Sequence, residues 1–560
     1  MLFLLSNHEW MYPNPHNPDA FINHVYSYFY DIPNYRHFWY KSERTSWLVP
    51  LFYLKQLIGG INLAPFLALA SWISLGSLYY IFFKNLYSSR KSLFFLPWVM
   101  YFPHLVGNSS GGGTYHNYGT SIYFLLCLIF WERAFAKNKK IFLVISGIFL
   151  CSTISSSIIH LNLLLLLPIL QYQLKEKFSF SHYLYLLIGI ILALILWGGF
   201  SFYFDRGFLN FGRRFDILFR HINQYEEYQE WFYPLKSFFF LKKRFATYLS
   251  FLAICFVVNL IYLKNKFKEK KPFGSYSINV HAVFIICLWV LWHIQGTNTL
   301  YPPDFVYPLQ VPLLWSIANT LPEPQDRYFR PITLITLGLL ITSALFYFPF
   351  NHASKIPDPI YVGIFTTIGI IGVLILISRA PYRGLTRVGA ILAVILCFDA
   401  FNDKVMYINK NPCLYHKESH DLVFKIVDTA LKYRKNPEHI FFYFDEGETL
   451  KLTNPICSLY PKLPLGKIAE HIRMIIDDTH DQLKLVDRIK NADFYYLKKK
   501  KTIFLILGEK TDFFAKELQE KAKRYNFKLQ TLIYDEIYLS KEPVRYALYA
   551  LEDKAQDKDE

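Results

Sequence analysis

About a dozen times along the chain, an apolar run of roughly 16–22 residues is followed by a short hydrophilic break. A hydrocarbon core is about 30 Å thick, and runs such as INLAPFLALASWISLGSLYYIFF and YVGIFTTIGIIGVLILI are long enough to cross it as helices. A buried helix of a soluble protein explains one such run, but not a dozen. Composition agrees: 53% of the 560 residues are hydrophobic and only 18% are charged. The pattern predicts an α-helical polytopic membrane protein of about twelve transmembrane helices. They are expected near 61–83, 92–107, 119–136, 141–158, 159–174, 182–203, 247–264, 279–295, 303–318, 331–349, 358–378 and 387–402. The break between the fourth and fifth, at Ser155-Ser156-Ser157 before His160, is also compatible with one bent helix or a segment that turns back.

A net charge of +17 could suggest a nucleic-acid partner, but its placement argues against one. Many of the basic residues stand in short loops: Lys84/Arg90/Lys91, Lys137/Lys139/Lys140 and Lys264 to Lys271. The alternate loops GNSSGGGTYHNYG and GTNTLYPP have no Lys or Arg. Positive loops stay in the cytoplasm, so residues 1–60, the 204–246 loop and the tail are expected outside. The protein is then a multi-pass plasma (inner) membrane protein with an external, periplasmic C-terminal domain. An external N-terminus sits badly with MLFLL, five apolar residues that resemble the outer end of a helix. A thirteenth helix, preceding Met1, is expected.

Three regions follow: an external first loop with interfacial helices at 1–60, a transmembrane domain at 61–403 and an external α/β domain at 404–560. In the tail, HIFFYFDE, KTIFLILGE, FKLQTLIYDE and VRYALYALE have strand patterns. DLVFKIVDTALKYRK, a stretch within 466–490, and DFFAKELQEKAKRY have helical ones. Residues 502–538 look like one β-α-β unit. Neither GxGxxG nor GxxxxGK[ST] occurs, so nothing points to a nucleotide. Of seven cysteines, Cys127, Cys151, Cys255, Cys287 and Cys397 lie in apolar runs and suit small hydrophobes. Cys413 and Cys457 lie in the tail, where an oxidising compartment allows but does not require a disulfide.

Four stretches carry a resemblance: NPDAF with Asp19 in the first loop; ERTSWLVPLFYLKQLIGGINL, a basic residue, a Pro-containing apolar run and a closing Gly; YGTSIYFLLCLIFWERAFAKNKK, an apolar run ending in a basic turn; and DFVYPLQVPLLWSIANTL, with a Tyr and two prolines. In the tail, FFYFDEGETLKLTNPICSLYPKLP adds to it. Together they resemble the GT-C superfamily of membrane glycosyltransferases, in particular the lipid-A aminoarabinose transferase and protein O-mannosyltransferase group and its bacterial relatives. The resemblance implies a sugar donor on a polyprenyl phosphate, a lipid, glycan or protein acceptor, membrane lipids as surroundings, and inversion at the anomeric carbon. It assigns proton abstraction to Asp19 and phosphate binding to Arg44, with Arg206, Arg213 and Arg214 as weaker phosphate partners. His116 and His160 are candidates for the substrate cavity.

Each has a plainer reading. Asp19 could cap a short helix, Arg44 could anchor to headgroups, a loop His such as His116 is ordinarily solvated, and His160 with Asn162 could serve helix packing. Where many relatives carry a second loop acid, this chain has Thr114-Tyr115-His116-Asn117, so no metal ligand is assigned, no cofactor is firmly indicated, and a divalent metal stays open but unsupported. A transporter or flippase of lipid-linked glycans is the alternative, although no internal repeat stands out and few ionisable residues interrupt the apolar runs. An envelope scaffold is a third; it expects no cavity where Asp19, Arg44 and the 204–246 loop would meet.

The charge asymmetry yields a direct test. A reporter fused after Glu560 should be active only outside the cytoplasm, and one inserted in the Lys264–Lys271 loop only inside. The opposite pattern would reverse the topology.

Overall fold

The computed structural model describes residues 30, 44–89, 91–92, 116–176, 179–204, 207–208, 243–292, 307–320, 420–426, 429, 502–507, 511–539 and 542–553. The helices expected near 92–107, 331–349, 358–378 and 387–402 lie outside these, as do Cys413, Cys457, the strand at 439–446 and the stretch within 466–490.

Two helices open the described chain, α1 (Thr45–Ile58) and α2 (Gly60–Leu86). Gly59 joins them at φ +80°, a left-handed backbone that glycine adopts without steric cost. There follow α3 (His116–Ala136) and α4 (Ile141–Ser156). A 3-10 segment (Ile158–Leu165) then leads into α5 (Leu166–Gln173). The bundle continues with α6 (Phe180–Tyr203), α7 (Lys243–Lys268), α8 (Ser277–Trp292) and α9 (Tyr307–Thr320). Gly60–Leu86, Tyr118–Ala136 and Phe180–Tyr203 are long and apolar enough to cross a membrane, and these apolar helices fit a polytopic membrane protein. Phe180, Leu187, Ile191, Ile195 and Phe202 of α6 are exposed, a placement that is costly in water and natural in lipid.

The break at the serine run is real. Ser157 is extended (φ −152°, ψ 114°), so the chain leaves α4 there and returns as a separate element. The returning sixteen residues would span only about 24 Å as a plain α-helix. With the first eight wound as 3-10, at about 2.0 Å per residue, the length becomes about 28 Å, close to a hydrocarbon thickness.

The basic loops gather at one end of the bundle. Lys140 sits over the Tyr185 ring at the start of α6, and Phe135 at the end of α3 meets His182. Tyr172 at the end of α5 packs on Phe273 in the α7–α8 turn. Tyr87, just past α2, bonds Asn319 near the end of α9. The basic loops of the sequence are thus neighbours in space.

Packing centres on α4, which lies along both α3 and α6. The α4–α6 contact is glycine against backbone. A Cβ on Gly147 would fall 2.1 Å from the Leu186 carbonyl oxygen, and one on Gly189 would fall 2.0 Å from that of Val144. Small residues let membrane helices approach closely where no hydrophobic drive separates protein from lipid. Cys127, Cys151 and Cys255 are buried and behave as the small hydrophobes expected; Cys287 is exposed.

In the tail, β1 (Thr502–Leu507), α10 (Thr511–Arg524), β2 (Phe527–Leu539) and β3 (Glu542–Asp553) form a three-stranded sheet with a helix. The order is β1-β3-β2, with β3 antiparallel to both neighbours. The expected β-α-β unit is present but split: β1 and β2 run parallel with β3 inserted between them. Ala515, Leu518 and Ala522 give α10 a buried stripe at helical spacing. Asn526, at φ 60°, ends that helix in a left-handed turn. Lys425, in the helical stretch 420–426, bonds Asp535 of β2 at 2.5 Å and thereby holds its carboxyl below the usual Asp range. The pair is exposed and adds little stability.

The glycine contact is testable. Gly147→Ala and Gly189→Ala should each cost about 1–3 kcal/mol, since the added methyl meets backbone that cannot move aside cheaply. Gly199→Ala, on the same α6 with nothing within 4 Å, should be neutral or slightly stabilising. Thermal denaturation in detergent reads all three; equal effects would remove the special role of the α4–α6 contact.

Candidate functional site

At the end opposite the basic loops, four helices meet around the start of α1. Arg44 precedes that helix, is 4% exposed, and accepts at its carbonyl from the Trp47 and Leu48 N–H groups at 2.9 Å each. Ser46 Oγ donates to the Ser152 carbonyl at 2.9 Å and lies 2.8 Å from Ser156 Oγ, tying α1 to the end of α4. Tyr123 of α3 donates its hydroxyl proton to the Ser46 carbonyl at 2.8 Å. Trp197 Nε1 of α6 donates to Ser152 Oγ at 2.9 Å. The Trp47 ring lies against Gly119, where a Cβ would fall 2.2 Å from ring carbon Cε3. Alanine at 119 would displace either the ring or α3.

Aromatic side chains close the same end. Phe204, where the 204–246 loop begins, meets Tyr30 of the segment before α1 at 5.1 Å and Phe52 of α1 at 5.5 Å. Tyr53 meets Phe200 at 6.4 Å. The described residue of the first segment, the start of α1 and the mouth of the long loop therefore share one junction.

Electrostatics give this junction a preference. A helix N-terminus carries partial positive charge, and a buried guanidinium beside it has the same sign. The position thus favours an anionic neighbour, a carboxylate or a phosphate. A buried cation also requires such compensation, because desolvation is expensive.

Among the site candidates, Arg44 and His160 are brought to this junction. His160 is buried three residues beyond Ser157, with its N–H bonded to the Ser157 carbonyl at 3.2 Å, next to the Ser156 that Ser46 contacts. His116 is the first residue of α3, at the same end. Asp19, Arg206, Arg213 and Arg214 lie outside the described residues. Among the described residues, no group of three or more His, Cys, Asp or Glu gathers to hold a metal. Sequence reasoning took the serine run only as a break, and missed Ser46, Tyr123, Ser152, Ser156 and Trp197 as the residues that fix α1. The available signal was the density of hydroxyls in STISSS, unusual for an otherwise apolar run.

The clamp predicts measurable coupling. A double-mutant cycle of Ser46→Ala with Ser156→Ala should give about 0.6–1.7 kcal/mol in thermal or denaturant stability, the range of interhelical hydrogen bonds in membranes. Full additivity would mean that the two hydroxyls are not partners.

No family model matches the chain, and no curated protein matches it. A solved structure, the crystal structure of ArnT from Cupriavidus metallidurans in the apo state, aligns at 12% identity over 98% of this chain and 95% of that one, with a TM-score of 0.43. Likeness of that size does not establish a shared fold.

Proposed function

We propose that the chain is a membrane glycosyltransferase that moves a sugar from a polyprenyl-phosphate carrier to an acceptor hydroxyl at the end of the bundle away from the basic loops. One observation carries this reading. The start of α1, where Arg44 is buried, is tied through Ser46 to α3 and α4, and Phe52 farther along α1 meets Phe204 at the beginning of the 204–246 loop. The resemblance of Asp19, Arg44 and the late α9 stretch to GT-C enzymes points in the same direction.

In the proposed reaction the acceptor oxygen attacks the anomeric carbon as the bond from that carbon to the phosphate oxygen breaks. The electron pair of the broken bond leaves with the phosphate, and the anomeric centre inverts. Asp19 accepts the acceptor's proton, which requires it ionised; a neighbouring cation favours that state. Arg44 stabilises charge on the departing phosphate, and Arg206, Arg213 and Arg214 of the long loop are further phosphate partners. His116 and His160 line the sugar or acceptor side. The carrier chain remains in lipid, and residues 404–560 form an external domain of the plasma membrane protein. The acceptor is a lipid, glycan or protein of the cell envelope.

Purified protein given a polyprenyl-phosphate sugar tests this. Asp19→Asn keeps shape and capping ability but removes the base, so transfer should be almost abolished with expression and thermal stability unchanged. Arg44→Lys keeps the charge but loses the planar fork, and should raise the donor KM by about 10–100-fold, the worth of a charged hydrogen bond. Near-normal turnover by Asp19→Asn would remove the catalytic assignment. Donor use unaffected by Arg44→Lys would remove the phosphate site.

A further inference from the structure

At the basic end, side-chain amides form a continuous line across the bundle. Asn259 of α7 donates to Ser316 Oγ of α9 at 3.2 Å, and its own Oδ1 accepts from Asn279 of α8 at 2.7 Å. Asn279 also donates to the Ser316 carbonyl at 3.1 Å. Asn319 of α9 donates to Asn279 Oδ1 and to the Ser275 carbonyl, both at 2.8 Å. Gln173 of α5 then donates to Asn319 Oδ1 at 3.3 Å and to Tyr87, past α2, at 3.2 Å. Two further ties flank the line: Asn85 of α2 to Glu132 of α3 at 2.8 Å, and Tyr183 of α6 to Gln171 of α5 at 3.0 Å. Asn259, Asn279 and Ser316 are fully buried.

We infer that this line is a permanent seal: the bundle stays closed at its basic end through the working cycle, and substrates reach it only from the opposite end or from lipid. Three physical reasons support it. The groups of the line itself are uncharged amides and hydroxyls, which do not titrate within the ordinary pH range; the charged groups beside it are Lys91, 4.4 Å from the Tyr87 ring, and Glu132 in the flanking tie. Opening would break several hydrogen bonds at once, each of which favours the closed state even when water takes the lost partner's place. The line also joins α5, α7, α8, α9 and the end of α2, so no two of these can separate at that end without breaking it. The opposite end is held by hydroxyl contacts around α1 and by aromatic edges, and Arg44 is buried there. An alternating-access transporter must open each end in turn. The seal therefore opposes transport on grounds independent of glycosyl transfer; it rests on that reading only for which substrate uses the open end.

Two measurements on the full-length protein test it, in a Cys287→Ser, Cys413→Ser, Cys457→Ser background. In inside-out vesicles, a membrane-impermeant maleimide should leave Asn279→Cys and the nearly isosteric Ser316→Cys unlabelled, with or without added polyprenyl phosphate. Phe273→Cys, half exposed in the α7–α8 turn, should label readily and serves as the control. Labelling of Ser316→Cys from that face in either condition overturns the seal. In the second measurement, Tyr172→Cys and Phe273→Cys, whose parent rings lie 6.1 Å apart, are joined by a short bis-maleimide, pinning α5 to the α7–α8 turn. Turnover of the polyprenyl-phosphate sugar should stay within about twofold of the unjoined protein, because a closed end that never opens loses nothing by being locked. A loss of tenfold or more on joining overturns the seal. If even the unjoined protein turns over no such donor, the transfer reading fails, while the labelling still decides the seal.

Discussion

In hydrocarbon, every peptide N–H and C=O must find a partner within the protein, and each that does not costs several kcal/mol. The described membrane portion follows from that constraint. It is built of helices, and its irregular backbone, at Ser157 and through the 3-10 segment that follows, is packed among α4, α5 and α9. Hydrophobicity cannot draw one helix to another in lipid, so the contacts rely on close packing and hydrogen bonds. Gly147 against Gly189 supplies the first, and the hydroxyl and amide contacts at the two ends supply the second.

The two ends are chemically unlike. The basic end is crossed by carboxamides that bond to one another and to backbone. The other end is held by hydroxyls and indoles around the start of α1, where Arg44 is buried. At the basic end, Asn259, Asn279 and Asn319 each donate and accept within their line, which resists their separation. A buried cation at a helix N-terminus instead favours an anion, which a phosphate can supply. That division suits the proposed catalyst, fed from one side and from the lipid.

Much of this was legible beforehand because membrane insertion is decided locally. The helices expected near 61–83, 119–136, 182–203 and 247–264 match α2, α3, α6 and α7 within a few residues, since apolar run length alone sets them. Arg44 was marked through the family resemblance and His160 from its place at the outer end of a helix; their burial near the start of α1 and the end of α4 does not test those roles. The clamp beneath Arg44 was not legible. Ser46 and Ser156 are more than a hundred residues apart, and no local pattern signals that two hydroxyls will meet.

The tail shows the same divide on a smaller scale. Alternation and an amphipathic stripe identified β1, α10, β2 and β3 along the chain. They could not give the order β1-β3-β2, because strand adjacency depends on where a third strand can bury both of its faces. What the sequence determined by itself was which segments are helix or strand and which loops are basic, because those follow from residues close along the chain. Only the tertiary structure decided that the serine run bonds the start of α1, that four asparagines and glutamines align across the basic end, and that β3 divides the β-α-β unit. Those contacts join residues far apart in the chain, and their partners are chosen by packing rather than by local preference.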